Sequence, residues 1–306
     1  MRNVKRLSLV FCALIASQMN AQITKTITGF NHVESVVVDG KYLYAADIGK
    51  ELQPTAKDGD GQIIKMDKKG EVQDANFAKE KLNAPKGLAI YNGILFINDI
   101  DRLVAIDINS GNKLYEIDFS AVTSFLNDIA VWDNNTLFVS ASDKNKLYKV
   151  NLTDKSYSEI KTNKTIAGIN GLFCYKKASR LYVNGFGSDN QPNGIIGYIN
   201  LKDNSFTQLT ALEGYFDGMF ISKDVLYVSN WVAFEKTRGQ QPELSEAKGI
   251  LMGISLFSNR SAKIKEIEPI AGPADFFIQN DQLFLPAMMT GEIHLIKLDG
   301  DLSLKL

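Results

Sequence analysis

Six stretches of the chain repeat one arrangement of apolar and polar positions. Each opens on a polar or small residue, runs through four or five mostly apolar positions, turns, and presents a Leu-Tyr or Leu-Phe pair in a second apolar run. The copies begin at Glu34 (ESVVVDGKYLYAAD), Lys86 (KGLAIYNGILFIND), Asn127 (NDIAVWDNNTLFVSAS), Asn170 (NGLFCYKKASRLYVNG), Asp217 (DGMFISKDVLYVSN) and Ala274 (ADFFIQNDQLFLPAM), spaced 41 to 57 residues apart. A third apolar segment follows each pair, as in GQIIKMD, RLVAIDI, NKLYKVNL, GIIGYINL, GILMGISL and GEIHLIKLD. More polar, alternating segments such as 113–119 (KLYEIDF) and 157–162 (YSEIKT) fit a fourth, half-exposed strand. Helical periodicity is scarcely visible.

Four antiparallel strands per repeat of roughly 40–50 residues mark a β-propeller blade. The expected fold is all-β, a six-bladed β-propeller with four-stranded antiparallel blades, forming one domain over residues 22–306. Two segments compete to complete the sixth blade, ITKTIT (23–28) at one end of the chain and LSLKL (302–306) at the other.

The first 21 residues stand apart from the repeats. Arg2, Lys5 and Arg6 precede an apolar run from Leu7 to Ala16 and a short polar stretch to Ala21. That order of charge, apolar run and small residue is expected of a secretory signal peptide cut after Ala21. The run is shorter than the about 20 residues a spanning helix needs. Loss of the three basic residues takes the formal charge from −1 to −4. Export to a bacterial periplasm or beyond is the expected location.

With 34 basic and 35 acidic residues and no basic run, nothing suggests a nucleic-acid or membrane-surface binder. Cys12 lies within the leader, so Cys174 is the remaining cysteine and is expected to be a small buried core residue without a disulfide partner.

In a propeller, the residue opening each innermost strand sits at the mouth of the central channel. Those residues are Glu34, Lys86, Asn127, Asn170, Asp217 and Ala274. Two carboxylates and two carboxamides from four blades thus converge on one axis, a hard-oxygen set that suits Ca²⁺. Asn-Gly, Asp-Gly and Asn-Asp are also ordinary turn pairs, but four metal-compatible residues at one repeat position point to Glu34, Asn127, Asn170 and Asp217 as ligands. Second-to-third-strand connections near 48–61, 185–194 and 231–249 are long and should overhang the same face as a partial lid. Asp58 and Asp60 in the first could hold another cation or form a solvated turn. His32 is expected to line the mouth, and Lys86 either orients an anionic group or is a solvated lysine.

These residues resemble the senescence marker protein, gluconolactonase and luciferin-regenerating enzyme family, which is related to the paraoxonases. The resemblance covers the mature chain through short motifs, with Glu34, Asn127, Asn170 and Asp217 at the family's metal positions. It implies a six-bladed propeller with a divalent cation in the channel, usually Ca²⁺ in bacterial relatives. It also implies metal-assisted hydrolysis of a small-molecule lactone or ester, with Asp217 as both ligand and base. Asp128 resembles an acidic residue at a second, structural Ca²⁺ of paraoxonases, and a turn-stabilising role is the alternative. Phe125 stands where sugar-lactonase members often carry a substrate-binding arginine, Ser35 replaces a common glycine, and Lys86 enters the ring. These departures shift the expected substrate from a sugar lactone toward a more apolar or anionic one contacting Phe125, Lys86 and His32.

With His32 and His294 as the only histidines, no Ser-His or Cys-His motif is evident. The competing class is a ligand- or protein-binding propeller whose channel metal is structural, since fold alone does not decide function.

Overall fold

A computed structural model describes residues 21–233, 244, 248–259, 261–263 and 269–298. The chain opens with β1 (Ala21–Thr28) and continues into six four-stranded antiparallel sheets. Blade one contains β2 (Val33–Asp39), β3 (Tyr42–Asp47), β4 (Gln62–Asp67) and β5 (Val72–Asp74). Blade two contains β6 (Pro85–Tyr91), β7 (Ile94–Asp99), β8 (Arg102–Asp107) and β9 (Lys113–Asp118). Blade three contains β10 (Leu126–Val131), β11 (Thr136–Ala141), β12 (Lys146–Asn151) and β13 (Tyr157–Glu159).

Blade four contains β14 (Ile169–Tyr175), β15 (Arg180–Gly185), β16 (Ile196–Asn200) and β17 (Ser205–Gln208). Blade five contains β18 (Phe216–Ser222), β19 (Val225–Asn230), β20 (Ile250–Ser255) and β21 (Ser261–Lys263). Blade six contains β22 (Phe277–Gln279), β23 (Gln282–Ala287) and β24 (Glu292–Leu298). Its fourth strand is β1, paired with β24 from Ala21 opposite Leu298 to Thr28 opposite Glu292. The N-terminal segment therefore closes the ring, while 302–306 lies outside the described residues.

The alternation read from the sequence has a direct packing consequence. Middle strands such as β3 and β7 are covered on both faces by neighbouring blades and are almost wholly buried, whereas β9 is mostly exposed. Apolar side chains form a wedge between each pair of adjacent blades. Tyr44, Ile63, Leu95 and Ile97 join blades one and two, and Ile27, Leu43, Phe284 and Ile293 join blades six and one. A further cluster, including Ile48, Tyr215, Trp231, Val232 and Met288, lies under the second-to-third-strand connections.

Cys174 is only half-buried, not a fully buried core residue as expected, and burial pushes its thiol up to about 12. No helix among the described residues is long and apolar enough to cross a membrane. The cleavage point expected after Ala21 falls one residue inside β1, where Ala21 is buried.

Candidate metal centre

A β-bulge explains why the repeat-opening residues meet. In blade two the ladder pairs Pro85 with Asp99 and resumes at Leu88 with Ile97, so Lys86 and Gly87 together oppose Asn98. The same shift sets Asn127 and Asp128 against Ser140, Asn170 and Gly171 against Asn184, and Asp217 and Gly218 against Ser229. In blade one Glu34 is the extra residue between Val33 and Ser35. Bulges re-aim side chains, and here they place Glu34, Lys86, Asn127, Asn170 and Asp217 in the lining of one cavity. The glycine after the opening residue permits the inner strands to approach closely. A Cβ on Gly171 would lie 2.3 Å from the Asp217 carbonyl oxygen, and one on Gly218 would lie 2.7 Å from that of Ala274.

Buried polar groups on the second strands hold this arrangement. Asn98 Nδ2 donates to the carbonyls of Asn127 (2.9 Å) and Asp128 (3.1 Å), and Asn184 Nδ2 donates to that of Asp217 (2.6 Å). Ser229 Oγ donates to the Ala274 carbonyl at 3.2 Å. Each bond crosses from one blade to the next. Asp47 accepts the amides of Asn31, His32 and Gly49, and Asp99 accepts those of Asn83 and Ala84, which fixes the segments entering β2 and β6.

Five buried oxygens around the axis lack a hydrogen-bond partner: Glu34 Oε2, Asn127 Oδ1, Asn170 Oδ1, Asp217 Oδ1 and Asp275 Oδ2. Leaving such groups unpaired is costly unless something else satisfies them. Glu34, Asp217 and Asp275 each offer an oxygen within 4.8 Å of the others, so this buried acidic triad could bind a metal ion. An all-oxygen donor set fits a hard cation.

Electrostatics favour the same fit. Desolvation raises the Glu34 pKa well above the usual carboxylate range, with Asp217 and Asp128 adding to it and Lys86 opposing. Desolvation also holds Asp217 up at about 7 against hydrogen bonds from Trp231 and Asn170. Asp275 is raised by desolvation and then by Asp128, Glu34 and Asp217.

The cavity above the triad has a volume of about 500 Å³. Its floor is polar, while Ile48, Leu52, Phe125, Phe186, Trp231 and Met288 supply apolar walls. All three long connections contribute, through Leu52 and Pro54, Phe186 and Gly187, and Trp231 and Leu244. Residues 234–243 and 245–247 of the third lie outside the described residues. Trp231 Nε1 donates to Asp217 Oδ2 at 2.6 Å and so orients the carboxylate.

Lys86 is 1% exposed, not a solvated lysine. Its ammonium donates to the carbonyls of Pro54 (2.6 Å) and Ala84 (3.1 Å) and lies 4.5 Å from the centre of the Phe125 ring. Desolvation brings it down to about 8, opposed by the charges of Glu34 and Asp99. His32 is half-buried and its Nδ1 lies 3.0 Å from the Gly49 carbonyl, at the base of the first connection and outside the cavity lining. Asp128 is also outside that lining, and its two oxygens accept the amides of Ile129 and Leu172, both at 2.6 Å.

Asp275 is the triad member that reading Ala274 as the sixth opening residue passes over. Its signal was Asp128, which occupies the same second position of its own repeat.

No family model and no curated protein matches the chain. Solved propellers do. The selenomethionine-substituted virginiamycin B lyase from Staphylococcus aureus aligns with a TM-score of 0.61 at 13% identity, over 92% of this chain and 100% of that one. A Kuenenia stuttgartiensis hydrazine synthase chain gives 0.57 at 11% identity, over 91% and 77%. A chain of the nidogen/laminin complex gives 0.56 at 12% identity, over 85% of each. At these identities the likeness establishes the propeller fold.

Proposed function

We propose that this protein is an exported, divalent-metal-dependent hydrolase of small apolar lactones or esters, of the gluconolactonase-like type its motifs resemble. The observation that carries the reading is the group of unpartnered oxygens on Glu34, Asn127, Asn170 and Asp217, from blades one, three, four and five, in the lining of an apolar-walled cavity, with the unpartnered oxygen of Asp275 close beside those of Glu34 and Asp217. Glu34, Asn127, Asn170 and Asp217 would hold the cation, with Asp275 alongside. Ca²⁺ at this position supplies a Lewis acid for a carbonyl oxygen and for the negative charge that develops on it.

The chain's own residues supply the rest. Asp217, oriented by Trp231 and Asn170, accepts the proton of the attacking water. Phe125, Phe186, Trp231, Leu244 and Met288 exclude bulk water and receive an alkyl or aryl body. Lys86 holds a positive charge in the wall beside Phe125, which favours an anionic substituent. A sugar lactone would find few partners for its hydroxyls against these walls. The basic and apolar order of residues 2–16 supports export, which N-terminal sequencing of exported material would check.

The test is metal analysis combined with hydrolysis of a lactone and aryl-ester panel, with and without Ca²⁺, for the wild type and Asp217→Ala. Calcium-dependent turnover in the wild type is expected, with at least about a 100-fold loss in the variant together with its metal. Bound metal without turnover on any member would instead favour the binding propeller. A wild type that takes up no metal at millimolar Ca²⁺ would sink the site itself.

A further inference from the structure

Asp128 and Asp275 are the same residue type at the same repeat position, yet they do different work. Asp128 reaches across to blade four and accepts the Leu172 amide. The equivalent amide for Asp275 belongs to Val36 of blade one, and it donates to the Asp275 backbone carbonyl instead, at 3.3 Å. The Asp275 amide donates in turn to the Glu34 carbonyl at 3.0 Å. The Asp275 carboxylate is thereby released from strapping. It is 6% exposed, with Oδ2 unpartnered and within reach of Glu34 and Asp217.

The other blade junctions have a side-chain strap near the axis. Asn98 joins blades two and three, Asp128 joins three and four, Asn184 joins four and five, and Ser229 joins five and six. Blades one and two are tied by Lys86, which donates to Pro54 in the blade-one connection. At the junction of six and one, the position of Asn98, Asn184 and Ser229 is held by Pro286, which has no side-chain donor. The two ends of the described chain meet inside blade six, where β1 pairs with β24, and β1 then leads directly into β2 of blade one. Two unpartnered carboxylates, Glu34 and Asp275, face each other across the junction of six and one.

We propose that the cation held by Glu34, Asp217 and Asp275 supplies the side-chain strap this junction lacks, a clasp that reinforces the backbone hydrogen bonds joining Asp275 to Glu34 and Val36 where the last blade meets the first. Asp275 is then a sixth-blade ligand, and the site is a three-carboxylate one that gains affinity from its charge. The inference rests on the cation site of the proposed function but not on any turnover.

The experiment is hydrogen exchange of the full chain in Ca²⁺ and in EGTA, with calcium titration of the wild type, Asp275→Asn and Glu34→Gln. Chelation should strip protection from β1, β2 and β22–β24 while leaving blades two, three and four as they were. At a Ca²⁺ concentration that just saturates the wild type, both variants should shift toward the pattern of the chelated wild type. Asp275→Asn should also weaken Ca²⁺ binding at least about tenfold, the loss expected even for an outer-shell partner. Loss of protection spread evenly over all blades, no calcium-dependent protection at all, or wild-type affinity in Asp275→Asn would each overturn the clasp. Seam opening in a protein that hydrolyses nothing keeps the clasp and removes the hydrolase, whereas calcium-dependent turnover with an unmoved seam does the reverse.

Discussion

Burial holds the carboxyls of Asp217 and Asp128 up at about 7 and raises those of Glu34 and Asp275, so the metal-free native protein keeps protons that the unfolded chain releases near pH 4. Stability in chelator should therefore fall as pH rises from about 4 to about 7, because four buried carboxyls bind more protons in the native state across that window, against the opposing contribution of His294, whose pKa burial lowers. Lys86, lowered to about 8, acts in the opposite sense and only at higher pH, between about 8 and 10. We expect a lower Tm in EGTA at pH 7.5 than at pH 5, and a larger Ca²⁺-induced rise at pH 7.5, where the cation displaces fewer protons. A chelated Tm that climbs through this window would contradict the buried-acid account. Trp231 offers a direct reporter, since its indole donates to Asp217 and Trp132 is the only other tryptophan. Calcium should change the emission of Trp132→Phe, and a flat titration in a protein shown by calorimetry to bind Ca²⁺ would place the ion away from Asp217. Glu34, Asn127, Asn170 and Asp217 were legible because each opens a repeat. Asp275 was not, because a second-position residue that is glycine in three blades reads as part of a turn.

At the level of the strand, each blade depends on what its neighbour permits. A methyl group at Gly218 would meet the backbone of Ala274 and Asp275, neither of which can swing aside. Gly218→Ala should cost about 1–3 kcal/mol in urea unfolding, the usual range for an overpacked site. Asn98→Ala removes the donor to two buried carbonyls and should cost a similar amount, about 1–3 kcal/mol. Wild-type midpoints in either variant would mean that the inner strands have slack. Strand existence and order were readable from alternation alone, as the match between 113–119 and β9 (Lys113–Asp118) illustrates. The bulges were not, because inserting one residue leaves an apolar run apolar. Asn98, Asn184 and Ser229 look in sequence like polar strand ends, and only the neighbouring blade reveals them as crossing donors.

For the whole ring, β1 completes the sixth sheet and buries Ala21 and Ile27. Deleting residues 21–28 should expose the outer edge of β24 and abolish a single cooperative unfolding transition, whereas an unchanged transition would show that blade six needs no fourth strand. The sequence left two candidates for that place, because both terminal segments alternate and either length suffices. Pairing settles it: Thr24 Oγ1 donates to the Leu295 carbonyl across 271 positions of chain.

That span has a consequence in time. A ribosome finishes β1 first and β24 last, so the earliest strand has no partner until nearly all of the polypeptide exists. Contacts this distant in sequence form slowly. An unpaired early strand is also open to mispairing in the interval, which favours keeping the chain unfolded until its end is free.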